Sequence, residues 1–451
     1  MELPSYVENT IAALLRAGYR PYLVGGCVRD LLRGAVPSDY DVTSDALPEQ
    51  VMELFGAAAH PTGIAHGTVT VADGGRGVEI TTMRRDGVYR DGRHPDSVMF
   101  TDRIEQDLAR RDFTVNAMAL APDGTLVDPF GGRADLACGV LRCVGEPRER
   151  FEEDALRILR ALRFASVLGF AIEEETARAA RACRGLLDRI AGERVYAELD
   201  RLLTGADVTR VLLDFPDVLG AVLPEILPCV GFDQRNRHHC HDVWAHTAYA
   251  VGAVKCERPL RWTMLFHDLG KPETFTVDEQ GVGHFYGHTA VSARLAAGIM
   301  ERLHFEKALR TAVETQLECF DDQFPAERAA LHKEMAARGR VAVAGLLETR
   351  RADSAAQAEA DRLVGERTYA LLRELYDELV AERACCSVSE LAVNGRDIKE
   401  IGFTGKTVGA VLARLLWEVA SEKLENKRPA LLRRAERLYR SGYGRQGGND
   451  G

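Results

Sequence analysis

The chain has 451 residues, 46% hydrophobic and 28% charged, which fits a folded protein with room for several cores and excludes a disordered tail, a fibre or a disulfide-stapled miniprotein. Its formal charge of −10 argues against coating nucleic acid by bulk charge, and no apolar run approaches the ~18 residues of a membrane span. The start, MELPSYVENT, lacks the basic and apolar regions of a secretory leader, and ten cysteines without a C-x-x-C pair read as reduced thiols of a cytoplasmic chain.

Residues 20 to about 145 carry short β-rich runs (YLVGG, YDVT, GTVTVAD, GVEITTM) between helical stretches and Gly/Asp turns, which predicts an α/β head. Leu23-Val24-Gly25-Gly26-Cys27-Val28-Arg29-Asp30 puts paired glycines between an apolar strand and a helical run, where backbone can approach a phosphate and Arg29 adds a fixed positive fork. Most such glycine pairs are simply tight turns. The next predicted strand holds Asp39 and Asp41, two apart and hence on one face. Paired acids at a strand end are also met as solvated groups, but behind a glycine turn they suit hard Mg²⁺ and two-metal phosphoryl transfer. Glu79 reads either as a third carboxylate or as a surface acid. Residues 84–95 form a polar loop with two glycines.

From about residue 150 strands nearly vanish, and EEDALRILRALRFASVLGF begins helical periodicity that runs to the end. Asp154 and Arg157, three apart, should share a helix face and offer one acceptor beside one donor fork. Cytosine and adenine each pair an amino donor with a ring-nitrogen acceptor, and guanine and uracil present the reverse. An ordinary intrahelical salt bridge has the same spacing. Pro and Gly at 215–231 suggest a joint between helical blocks, and 387–409 a second. Between 427 and 445, seven Lys/Arg stand against one Glu, which reads as a polyanion contact or a solvated face.

The glycine turn, Asp39-x-Asp41, RRDFTVNAMA at 110–119, DPFGG at 128–132 and EDALR at 153–157 resemble, in that order, the bacterial class II CCA-adding enzymes, tRNA nucleotidyltransferases of the poly(A) polymerase family. The resemblance implies an α+β chain: a polymerase β-like nucleotidyltransferase head (1–145), then an all-α neck (146–230), an HD-containing body (231–385) and a tRNA-binding tail (386–451). It implies addition of C, C and A to tRNA from CTP and ATP. Asp39 and Asp41 would ligate Mg²⁺, and Gly26 and Arg29 would hold the triphosphate. Arg111, Asp112 and Asn116 would contact the ribose and nucleotide. Asp154 and Arg157 would read the base, with Arg160 and Arg163 nearby. The loop at 84–95 resembles the one that full CCA-adding members keep and CC-only members lack.

In the helical half, His246, His267-Asp268 and Asp353 match the H…HD…D pattern of HD phosphohydrolases, a donor set for one transition metal ion. Adjacent His267 and Asp268 can both face one site only at a helix end or distortion. His284 and His288 stand where related domains add ligands. Asp321 stands where relatives often carry a histidine, which weakens a dinuclear arrangement. His238, His239 and His241 read as polar surface residues. Poly(A) polymerase and CC-only addition remain alternatives, and an HD phosphohydrolase carrying an RNA-binding head is the reading from another class.

Overall fold

The computed structural model describes residues 3–73, 75–87, 97–322 and 324–443. The backbone divides into two compact units, Met1–Pro224 and Glu225–Gly451, within the stretch read as a joint. No helix among the described residues is long and apolar enough to cross a membrane.

In chain order the head of the first unit runs α1 (Ser5–Arg16), β1 (Tyr22–Val24), α2 (Gly26–Leu32), β2 (Asp41–Ser44), α3 (Pro48–Phe55), β3 (Ala59–Gly63), β4 (Thr68–Asp73), β5 (Arg76–Thr82), β6 (Arg84–Asp86), β7 (Val98–Phe100), α4 (Ile104–Ala109), β8 (Ala119–Leu120), β9 (Leu126–Val127), α5 (Gly132–Cys138) and β10 (Val140–Leu141). Seven strands form one sheet in the order β3-β4-β5-β2-β1-β8-β9, with only β2 and β5 parallel. Alternation along β4 and β5 sends Val69, Val71, Val78 and Ile80 into a core with Val7, Ile11 and Leu14 of α1. Glu79 lies on the other face. β6 and β7 pair as a separate ribbon at the base of the predicted polar loop, whose residues 88–95 lie outside those described.

The rest of the first unit is helical: α6 (Pro147–Glu153), α7 (Leu156–Leu168), the short β11 (Ala171–Ile172) parallel to β10, α8 (Glu174–Cys183), α9 (Gly192–Leu203), α10 (Val208–Asp214) and α11 (Pro216–Val222). Ile158, Leu159 and Leu162 of α7 and Val195, Leu199 and Leu202 of α9 are fully or almost fully buried where the two helices pack. Burying each such side chain contributes roughly 1.5–3 kcal/mol.

The second unit holds α12 (Val243–Ala253), α13 (Arg258–Phe266), α14 (Lys271–Thr274), a β12–β13 ribbon (Thr276–Val277 with Gly283–His284), α15 (His288–Arg302), α16 (Lys307–Glu318), α17 (Arg328–Arg338), α18 (Arg340–Ala355), α19 (Glu359–Ala381), α20 (Gly395–Ile401), α21 (Lys406–Ala420) and α22 (Arg428–Arg440). The second predicted joint, 387–409, runs from beyond α19 into the start of α21 and is itself folded. Asn394 and Asp397 cap α20 reciprocally, and Ile398 and Phe403 enter a core with Leu415 and Leu431.

Candidate active site

β1 delivers the chain to Gly25, whose φ of 74° favours glycine. Close approach demands it as well, because a Cβ there would stand 2.9 Å from Arg111 Nη1 and 3.6 Å from Asp41 Oδ2. Val24 faces Asp41 across the β1–β2 pairing, which brings the glycine turn against that carboxylate. Asp39 is not on the strand as the alternation predicted. β2 begins at Asp41, and Asp39 stands exposed in the bend before it, accepting from Ser38 Oγ at 2.8 Å. Turn and strand nevertheless bring the two charges together. Burial first, then the Asp39 charge, push the Asp41 pKa up to about 6. Glu79 is opposite Asp41 in the parallel β2–β5 pairing and adds a further negative charge on that face. Negative charges that bear on one another in this way, with one carboxylate desolvated, suit a hard divalent cation.

Beside the carboxylates runs a continuous hydrogen-bond chain. Arg29 Nη1 donates to Asn116 Oδ1 at 2.8 Å, and Asn116 Nδ2 donates to Asp112 Oδ1 at 3.2 Å. Asp112 Oδ2 accepts from Arg160 Nε at 2.8 Å and Nη2 at 2.5 Å. Burial would raise the Asp112 pKa, but the Arg160 charge and hydrogen bonds overcome it and hold the value at about 2. These residues line a cavity of about 320 Å³ together with Gly25, Gly26, Asp41, Arg111, Asp154, Leu156, Arg157, Phe164 and Arg194. Arg111 is steadied by buried Asp107, which also binds Arg110. The DPFGG segment supports the site from behind. Both Asp128 carboxylate oxygens accept from the first amides of α5, and Gly132 packs so tightly on the Thr114 carbonyl that no Cβ would fit.

Arg163, predicted near the base, lines no part of this cavity. It makes a 2.6 Å ion pair with Glu198 of α9, and burial lowers its pKa to about 10. Three guanidiniums surround the Phe164 ring, with centroid distances of 5.4 Å for Arg29, 5.5 Å for Arg160 and 3.9 Å for Arg163.

Asp154 and Arg157 both line the cavity, but not as neighbours on one helix. α6 ends at Glu153, Asp154 is extended at φ −143°, and α7 starts at Leu156. Asp154 Oδ1 accepts from the Leu156 amide at 3.1 Å, and Oδ2 accepts from Arg194 Nη2 at 3.4 Å. Arg157 turns instead to Glu153 Oε2 at 2.6 Å and to the carbonyls of Arg150 and Arg110. Sequence reasoning missed Gly25 as a required contact, and it missed Phe164 and Arg194. The glycine pair signalled the first, whereas nothing local marks the other two.

In the second unit His246, His267 and Asp268 gather ligand atoms within 4.8 Å, the one such described group of three or more. α13 ends at Phe266, so His267 and Asp268 leave the helix together and both face inward. His246 Nδ1 donates to the Ala356 carbonyl and His267 Nδ1 to the Met264 carbonyl, turning both Nε2 atoms to the cluster. Asp353 Oδ1 lies 2.9 Å from His246 Nε2, and His288 Nε2 lies 3.4 Å from Asp268 Oδ1. His267 Nε2 and Asp268 Oδ2, both buried, lie 3.2 Å apart without a well-aligned hydrogen bond, and this juxtaposition of imidazole and carboxylate suits a metal ion. Lys271 Nζ lies 2.7 Å from that same Asp268 oxygen and puts a positive charge beside it. His284 pairs with Asp278 instead, and Asp321 stays largely exposed. His239 departs from the predicted surface position. Its ring packs 5.0 Å from His246, and burial lowers its pKa to about 3.

The chain matches the family described as the poly A polymerase head domain over residues 21–142, and the one described as the probable RNA and SrmB-binding site of polymerase A over 169–227. It is 34% identical to the CCA-adding enzyme of Levilactobacillus brevis over 424 residues, 92% of this chain and 94% of that one. It is 42% identical to the Geobacillus stearothermophilus CCA-adding enzyme over 265 residues, 58% of this chain and 63% of that one. Its fold is similar to the crystal structure of the Bacillus stearothermophilus CCA-adding enzyme in complex with CTP, at a TM-score of 0.74 and 29% identity, covering 98% of this chain and 99% of that one.

Proposed function

This chain belongs to the CCA-adding enzymes, and from that membership we propose that it adds C, C and A to the 3′ end of tRNA from CTP and ATP, releasing pyrophosphate each time. The observation that carries the reading is the single cavity where the glycine turn, Asp41 and the Arg29–Asn116–Asp112–Arg160 chain meet. Asp39 and Asp41 would hold Mg²⁺, which would supply the Lewis acidity that favours ionisation of the RNA 3′ hydroxyl and offsets charge on the leaving pyrophosphate. Gly26 and Arg29 receive the triphosphate. Arg111, Asp112 and Asn116 hold the nucleotide, with Arg160 fixing Asp112 and Arg163 buttressing the helix behind. Asp154 and Arg157 read the base edge. The bond from the RNA 3′ oxygen to the α-phosphorus forms as the bond from that phosphorus to the β-phosphate oxygen breaks.

Residues 1–145 act as the head, 146–230 as the neck, 231–385 as the body and 386–451 as the tRNA-binding tail of a cytoplasmic enzyme. Incubation with tRNA lacking its 3′ CCA and each labelled nucleotide singly tests this. Two C then one A supports it. A long A tract identifies a poly(A) polymerase, and arrest after CC identifies a CC-only enzyme.

The cluster in the second unit carries a second reading. His246, His267, Asp268 and Asp353 would hold one transition metal ion, and the convergence of buried imidazole and carboxylate ligand atoms favours it. Such an ion would supply Lewis acidity of the kind that serves phosphoester hydrolysis.

A further inference from the structure

Asp154 is held by a residue that none of the motifs contains. Its peptide lies between two helices, so helix geometry does not fix its side chain. One oxygen accepts from the Leu156 amide at 3.1 Å, and the other accepts from Arg194 Nη2 at 3.4 Å. Arg157, three residues along, points elsewhere, into Glu153 and two carbonyls. Arg194 sits at the start of α9, lines the same cavity, and makes its side-chain hydrogen bond to Asp154 alone among the described residues. Its helix is held in place, because α9 is clamped to α7 by Leu199 and Leu202 and by the Glu198–Arg163 ion pair.

We propose that Arg194 is a positioning residue that determines base specificity through Asp154, an inference that rests on Asp154 reading the base. An unanchored carboxylate can rotate to accept an N–H from any base edge. A carboxylate pinned at one oxygen by a backbone amide and at the other by a guanidinium has a fixed plane. Each carboxylate oxygen has two lone pairs, so Oδ2 keeps one for the amino group that cytosine and adenine share. Uracil and guanine offer a carbonyl at that place and leave the acceptor unpaired.

The test measures kcat/KM for each of the four nucleotides with tRNA lacking CCA, in wild type, Arg194→Met, Arg194→Lys, Asp154→Ala and the Arg194→Met/Asp154→Ala double variant. Methionine keeps the apolar stem and removes the donors, so thermal melting should change little. The CTP-to-UTP preference should fall about tenfold in Arg194→Met. Lysine should restore part of it. The double variant should be no less selective than Asp154→Ala alone, because both substitutions remove one device. A wild-type preference in Arg194→Met while Asp154→Ala loses it overturns the role of Arg194 and leaves the base-reading assignment standing. Wild-type preference in both overturns that assignment and this inference with it. Additive losses in the double variant overturn action through Asp154.

Discussion

Arg160 puts two nitrogens on a single oxygen of Asp112, 48 residues away in sequence, and so ties helix α7 to the motif that follows α4. Asp112 is 8% exposed, and its folded pKa is held at about 2 against 3.8 when free. A depressed carboxyl contributes stability above its unfolded pKa and loses it as pH falls through the folded value. The stability gap between wild type and Asp112→Asn should therefore be about 2 kcal/mol near neutral pH and close between pH ~4 and ~2. Urea melts across that window measure it, and a gap that does not shrink refutes the linkage.

Gly25→Ala should remove nucleotide addition while costing about 1–3 kcal/mol of stability. The new Cβ needs the space of Arg111 Nη1 at 2.9 Å, on a backbone with positive φ. The Arg111 guanidinium, which lines the cavity, must then shift. Primer extension alongside a thermal melt separates the effects, and a variant retaining half its activity would show that the approach is not required.

Asp39→Ala and Asp41→Ala should each abolish C and A addition alike and leave tRNA binding within a few fold, because the carboxylates serve the metal and not the base. Filter binding and extension with CTP and ATP separately check this. A variant that loses only one of the two additions contradicts a shared metal site.

Arg157→Ala should both relax nucleotide choice and destabilise the fold, unlike Asp154→Ala. Arg157 is 8% exposed and bonds Glu153 and the carbonyls of Arg150 and Arg110, which its loss leaves without those donors. Losing the hydrogen bonds to these partly buried groups should cost about 1–3 kcal/mol in all, and discrimination should fall roughly ten- to a hundredfold. Denaturant melts beside four-nucleotide kinetics decide between this and a purely structural residue, for which the preference would survive.

What the sequence made legible was local. The glycine turn, the paired acids and the 110–119 motif sit in short segments whose order and spacing already implied an α/β head, and the sheet assembles them. The break at Asp154 was hidden because apolar periodicity runs on through EDALRILRALRF with no Pro or Gly to interrupt it. Arg194 and Phe164 were hidden for another reason: they reach the cavity only through the packing of α7 on α9 and of α7 on the head. His239 looked like a surface residue because its neighbours are polar, although its ring packs on His246.

The cluster of the second unit should prove separable from nucleotide addition. His246, His267 and Asp268 lie in Glu225–Gly451, whereas every residue lining the nucleotide cavity lies in Met1–Pro224. Asp268 is 2% exposed with Lys271 Nζ at 2.7 Å, so removing its side chain would strand a buried cation and confuse function with folding. His267→Ala with Asp268→Asn is the better variant, because the amide keeps an oxygen for Lys271 while giving up the charge that a metal ion needs. Elemental analysis after purification without chelator should find about one transition metal ion per wild-type chain and none in the variant, as expected for a mixed nitrogen and oxygen donor set. CCA addition should stay within twofold of wild type, while any phosphoesterase activity disappears. A wild type free of metal removes the metal reading of the cluster, and loss of CCA addition in a variant with an unchanged melting temperature removes separability.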